Sequence, residues 1–294
     1  MKAPFGKVVT AMVTPFKEDG SVDYSEAAKI AEYLVENGSE GVLVSGTTGE
    51  CPTLSHEEEY ELWTVVKKAV NGRAYVLAGT GSNCTATTIK STKAAEKIGL
   101  DGAMIVVPYY NKPSQEGLYQ HFKAVAAETK LPLIIYNIPG RTSRNMEPET
   151  TARLARIKNY VALKAASGDL KQIARTRELT PKNFAIYSGD DGLTLDILKL
   201  GGCGVISVAS HVAGLQIEQM INLYLQGKET EARQLNERLA PLFDVLFITS
   251  NPAPVKAAME MIGFNTGILR LPMVPVTKSE RAAIKAVLKD QGII

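Results

Sequence analysis

Eight short runs of apolar, β-branched residues recur along the chain with helical patterns between them, and nothing else in the sequence restricts its fold as much. The runs cover residues 8–13, 41–44, 75–78, 103–107, 133–136, 160–163, 184–187 and 204–208. Their starts lie 33, 34, 28, 30, 27, 24 and 20 residues apart, the size of one strand–loop–helix unit. Most are continuously apolar, as parallel strands covered on both faces must be. The intervening stretches carry helix signals: Asp23 with Glu26, and Ser55 with Glu58, have capping-box spacing. Pro148 suits a first helical turn, and Gly38, Gly72 and Gly99 stand where a helix closes on a left-handed residue. Eight alternations with short connections predict an α/β fold, a (β/α)8 TIM barrel, ahead of an open doubly wound sheet. After the eighth run only helical periodicity remains, as at 231–246 and 279–288, punctuated by Pro252, Pro254, Pro272 and Pro275. The expected organisation is a barrel over residues 1–225 that carries the active site, and a C-terminal helical segment over 226–294 packed on it.

Composition narrows the function classes. At 294 residues and 45% hydrophobic content the chain has enough apolar material for a large core without disulfides or metals. A formal net charge of +2, with no long basic run, argues against a nucleic-acid or anionic-membrane partner. No apolar run reaches the ~18 residues of a membrane span. The opening stretch is interrupted by Pro4, Gly6 and Lys7, so no secretory leader is expected. Cys51, Cys84 and Cys203 are odd in number and have no C-x-x-C spacing, which suggests idle thiols in a reduced, cytoplasmic setting.

A barrel draws its chemistry from the carboxyl ends of its strands and the loops just after them. The second run is followed by Ser45-Gly46-Thr47-Thr48-Gly49-Glu50, and the fourth by Pro108-Tyr109-Tyr110-Asn111. The fifth ends Tyr136-Asn137-Ile138-Pro139-Gly140-Arg141, the sixth ends on Lys164, and the seventh leads into Ser188-Gly189-Asp190-Asp191. Lys164 closes an apolar strand. An ammonium there is desolvated, its pKa falls, and the neutral amine can attack a ketone to form a Schiff base. The plainer alternative is a solvated lysine at a strand end. Tyr136, on the neighbouring run, is a proton donor and acceptor, or simply a rim aromatic. The Gly46–Gly49 stretch offers hydroxyls and free amides as a carboxylate nest, or only a strand-to-helix turn. Arg141 could clamp a second carboxylate bidentately, or be a surface charge.

Other patterns fall short. Gly79-Thr80-Gly81-Ser82-Asn83-Cys84 begins like a dinucleotide fingerprint but has Cys84 where the third glycine belongs. His56, His121 and His211 are too scattered for metal-ligand spacing. Asp190 and Asp191 read as an acidic helix start rather than a cation site.

Taken in order, Gly46-Thr47-Thr48-Gly49-Glu50, Pro108-Tyr109-Tyr110-Asn111, Tyr136-Asn137-Ile138-Pro139 and Lys164 resemble the class I pyruvate aldolases of the N-acetylneuraminate lyase superfamily. Within it the chain is most similar to the dihydrodipicolinate synthase family, through Thr47-Thr48 and Arg141 and through Gly204-Val205-Ile206-Ser207 and Leu271-Pro272-Met273. The resemblance implies condensation of pyruvate with L-aspartate 4-semialdehyde, without cofactor or metal, on the route to diaminopimelate and lysine. It implies that Lys164 forms the Schiff base while Tyr136, Thr47 and a neighbouring subunit's Tyr110 relay protons. Thr48 would hold the pyruvate carboxylate, Arg141 the semialdehyde carboxylate, and Gly189 and Ile206 would supply backbone contacts. It further implies a homotetramer built from two tight dimers. The alternative is another pyruvate-dependent aldolase, acting on N-acetylneuraminate or a 2-keto-3-deoxy sugar acid.

Some family members are inhibited by lysine. His56, Asn83 and Tyr109 match the sensitive pattern, whereas Pro52, Glu59 and Thr87 depart from it. Thr87 stands where a carboxylate would meet the lysine ammonium, so weak or absent feedback is expected. A further departure is Ala165, which follows Lys164 where the family more often carries glutamate.

Overall fold

The computed structural model describes residues 2–294. Among them are eight parallel strands: β1 (Val8–Ala11), β2 (Gly41–Val44), β3 (Tyr75–Gly79), β4 (Gly102–Val106), β5 (Leu133–Asn137), β6 (Tyr160–Ala165), β7 (Ala185–Ser188) and β8 (Gly204–Ser207). They follow one another in chain order as a closed barrel, the fold expected from the eight runs. The helices between them are α1 (Tyr24–Glu36), α2 (His56–Val70), α3 (Thr85–Ile98), α4 (Gln115–Ala127), α5 (Pro139–Thr142), α6 (Pro148–Leu154), α7 (Leu170–Leu179) and α8 (Thr194–Lys199). Beyond β8 come α9 (Ser210–Leu225), α10 (Glu229–Val245), α11 (Ala253–Met261) and α12 (Lys278–Asp290). Contacts divide the chain into two compact units, residues 1–6 with 77–206 and residues 7–76 with 207–294. No helix of the described residues is long and apolar enough to cross a membrane.

In the first unit β4, β5, β6 and β7 are buried almost throughout, as continuous apolar runs require. Their register sets Tyr136 opposite Lys164 and Lys164 opposite Tyr187. The glycine pair that imitates a dinucleotide fingerprint has a packing cause. A Cβ on Gly81 would run into the Val106 backbone, so glycine lets the end of β3 close on β4.

In the second unit the helix caps show how local sequence sets element ends. Ser55 accepts from the Glu58 amide, and the Glu58 carboxylate accepts from the Ser55 amide, the reciprocal box its spacing predicts. Asp23 makes only half of one. Its carboxylate accepts from the Glu26 amide, but the Glu26 carboxylate accepts instead from Lys29 and from the Asn265 amide. His211 is a satisfied core histidine: Nδ1 donates to the Val208 carbonyl at 2.8 Å and Nε2 accepts from the Val13 amide at 3.1 Å.

Candidate active site

Lys164 is the fifth residue of β6 and only 5% exposed. Its Nζ lies 4.3 Å from the centroid of the Tyr136 ring, which is itself buried. Burial pushes the Lys164 ammonium down to about 8. The Asp191 carboxylate pulls it partly back up, and the Arg141 guanidinium presses it further down. Ionising the amine here costs about 3 kcal/mol more than in water, at ~1.36 kcal/mol per pH unit. Near neutral pH a useful fraction is therefore the unprotonated, nucleophilic form. The solvated-lysine alternative does not describe this residue.

The groups around this amine are fixed by local rules. Gly189 follows β7 and donates its amide to the Ala165 carbonyl at 2.7 Å. A Cβ on Gly189 would stand 2.8 Å from the Ala166 Cβ and 3.0 Å from the Lys164 Cγ, so the residue must be glycine for the Lys164 stem to keep its place. Asp190 and Asp191 part company. The Asp190 carboxylate closes its own turn on the Gly192 amide, while Asp191 is buried and acts on Lys164. Nothing in the local sequence signals that second role. Among the described residues no group of three or more histidine, cysteine or acidic side chains is arranged to hold a metal ion.

Arg141 lies on the exposed side of the one-turn helix α5. The loop bearing it is stapled by Asn137, the last residue of β5. The Asn137 amide nitrogen donates to the Asn145 side-chain oxygen at 2.8 Å, and its oxygen accepts from the Met146 amide at 3.0 Å. Ile206 is buried in β8. Tyr110 sits in the loop after β4 with left-handed backbone (φ 71°) and is 89% exposed. A tyrosine held out in a disfavoured conformation has no packing reason within its own chain.

Thr47 and Thr48 belong to the second unit, in the turn just after β2. Two non-glycine residues with left-handed backbone bracket this turn, Ser45 (φ 55°) and Glu50 (φ 53°). Ser45 Oγ accepts from the Trp63 indole at 3.0 Å, and Thr14 Oγ1 donates to the Gly49 carbonyl at 2.7 Å. The amides of Gly49, Glu50 and Cys51 donate to carbonyls within the turn, so a nest for an anion is not built from those three. Thr48 Oγ1 accepts from the Asn251 side-chain nitrogen at 3.0 Å, and both residues are buried. The Glu50 carboxylate is buried as well. One oxygen takes the Lys256 ammonium at 3.0 Å and the other the Arg270 amide at 3.1 Å. Lys256 gives its other two donors to the carbonyls of Thr14 and Ile268. Sequence reasoning does not single out Asn251, Lys256 or Arg270. The one available signal is an asparagine before Pro252 in an otherwise helical, proline-punctuated stretch.

The residues matched to lysine sensitivity fall in both units. His56 Nδ1 is 3.1 Å from Glu59 Oε2, and burial pushes the Glu59 carboxyl up to about 7 against the pull of His56. The Asn83 carbonyl accepts from the Asn111 side chain at 2.9 Å, and Tyr109 is partly exposed beside Tyr110.

A desolvated lysine amine at the end of a barrel strand, against a buried phenol, is equipment for carbonyl chemistry through an imine. The model of the dihydrodipicolinate synthetase family matches residues 4–291, and the chain belongs to that family. A 4-hydroxy-tetrahydrodipicolinate synthase of Moorella thermoacetica is 54% identical over 290 residues, 99% of each chain. The dihydrodipicolinate synthase of Cyanidioschyzon merolae, solved with lysine bound, superposes with a TM-score of 0.98 at 49% identity over 100% of both chains. The chloride-inhibited enzyme of Acinetobacter baumannii, complexed with pyruvate, gives 0.96 at 40% identity over 99% of this chain and 100% of its own.

Proposed function

We propose that this chain condenses pyruvate with L-aspartate 4-semialdehyde to 4-hydroxy-tetrahydrodipicolinate, the first committed step towards diaminopimelate and lysine. The observation that carries this reading is the Lys164 amine, buried and depressed to about 8 beside the Tyr136 ring, in a member of this family. Neutral Lys164 adds to C2 of pyruvate, and the carbinolamine loses water to give an iminium ion. The iminium draws electrons from the methyl group, which loses a proton and leaves an enamine. That enamine adds to the aldehyde carbon of the semialdehyde. The acceptor's amine then attacks C2, closing the ring and expelling Lys164.

The remaining roles follow from the family resemblance and suit the local chemistry. Tyr136, Thr47 and Tyr110 of a neighbouring copy move the protons. Thr48 holds the carboxylate of pyruvate, Arg141 that of the semialdehyde, and Gly189 and Ile206 line the site with backbone. The exposure of Tyr110 supports its use by another copy, in a homotetramer of tight dimers working in the cytoplasm. Residues 1–225 carry the catalytic side chains and residues 226–294 the supporting helices. Feedback by lysine is weak or absent, because Thr87 lacks the carboxylate that would meet the lysine ammonium.

Turnover of pyruvate with aspartate semialdehyde, set against N-acetylmannosamine and glyceraldehyde, tests the assignment. The semialdehyde is expected to be preferred by at least about a hundredfold in kcat/KM, since a site built to pair a charged group rejects acceptors that lack it. Arg141→Ala should lose most of that preference while leaving imine formation with pyruvate nearly intact. Equal use of a polyol aldehyde would contradict the assignment.

A further inference from the structure

We infer that Asn251 is a positioning residue for anion recognition, aiming the hydroxyl proton of Thr48 at the carboxylate of a 2-keto acid. The inference rests on the assignment of pyruvate above and deepens it. A threonine hydroxyl has one proton to give and two lone pairs to accept with. The Asn251 side-chain nitrogen donates to Thr48 Oγ1 at 3.0 Å, which occupies a lone pair and frees the proton for an acceptor. A carboxylate is acceptor-only, so this is the hydroxyl orientation it needs. Thr48 is 3% exposed, and bulk water does not compete for that orientation.

Asn251 is itself held from behind. It precedes α11, and that helix carries Lys256, whose ammonium grips Glu50 at the end of the same turn. One segment therefore fixes the turn at two points, Thr48 through Asn251 and Glu50 through Lys256. The cost of the arrangement supports a functional role. The Asn251 side-chain oxygen is buried with no hydrogen-bond partner among the described residues, a state that costs free energy and that an apolar side chain of similar size would avoid. An apolar side chain here would fill the space but leave the Thr48 hydroxyl without the donor that orients its proton.

Steady-state kinetics of Asn251→Asp, Asn251→Ala, Thr48→Ala and the double alanine variant, with melting curves to confirm folding, test the inference. The carboxylate introduced by Asn251→Asp is an acceptor and would draw the Thr48 proton to itself. KM for pyruvate should rise at least about tenfold in that variant, with kcat within about threefold of wild type at saturating pyruvate. Asn251→Ala should raise KM roughly three- to tenfold, and adding it to Thr48→Ala should raise KM no further. A wild-type KM in Asn251→Asp, a fall in kcat with KM unchanged, or independent multiplication of the two alanine effects would overturn the inference. Should Asn251→Asp fail to fold, the alanine cycle decides alone. Trapping with pyruvate and borohydride separates the two levels. Wild type left unlabelled at Lys164 refutes the pyruvate reading itself, whereas labelled wild type with unaltered KM in the Asn251 variants refutes only the role of Asn251.

Discussion

An amine that attacks a ketone must first lose its proton, and at Lys164 burial does most of that work. With the ammonium depressed to about 8, on the order of a hundredfold more neutral amine is present at pH ~8 than for a solvated lysine near ~10.4. Since the neutral form reacts, imine formation should climb with pH and level off above about 8, as stopped-flow measurement with pyruvate would read. Asp191 opposes the depression, so Asp191→Asn should move that rise to lower pH; a shift to higher pH would show that its carboxylate does not act on the amine as described. Gly189→Ala should lower kcat and also lower the melting temperature, because the added methyl meets the Ala166 Cβ at 2.8 Å and the Lys164 Cγ at 3.0 Å. Lys164 and Tyr136 are legible in the sequence because each ends an apolar run, and strand ends are where a barrel works. Asp191 is not, since beside Asp190 it reads as part of an acidic helix start.

Elements hold these residues in place through interactions that are far apart in the chain, and there the sequence is less legible. The Ser55 box can be read because both partners lie within one helical turn; Ser55→Ala should cost about 1 kcal/mol in urea unfolding. The Asp23 box has the same spacing yet closes on one side only, because the Glu26 carboxylate answers Lys29 and Asn265 rather than its cap. Nothing local ties Glu50 to Lys256, 206 residues away, yet this pair anchors the turn carrying Thr47 and Thr48. Removing only the ammonium leaves a buried carboxylate without its counter-charge, so Lys256→Met should destabilise the protein by about 3–5 kcal/mol. The helix α11 is hard to recognise because Pro252 and Pro254 read as breaks, whereas both occupy its first turn or cap, where a missing amide hydrogen costs little.

At the scale of the molecule the eight runs dictate the barrel, while its pH response comes from residues that look inert. Burial holds His211 and His121 neutral, each pushed down to about 4. Their folded pKa lies below the unfolded value near ~6.5, so the unfolded chain binds protons that the folded chain refuses. Stability from this source is full above about 6.5 and is lost as pH falls towards about 4, by about 3 kcal/mol for each histidine. Urea midpoints measured over that range should fall steeply, and less so in His211→Gln. The proposed activity depends on the capture of a keto acid by one buried amine. It is tested most directly by incubating the protein with pyruvate across roughly pH 6 to 10, reducing with borohydride and sequencing the modified peptide by mass spectrometry. A single lactyl adduct on Lys164, formed at a rate whose midpoint lies near pH 8, is the result expected; labelling of another lysine, or a rate that rises only towards pH ~10 as for a solvated amine, would contradict it.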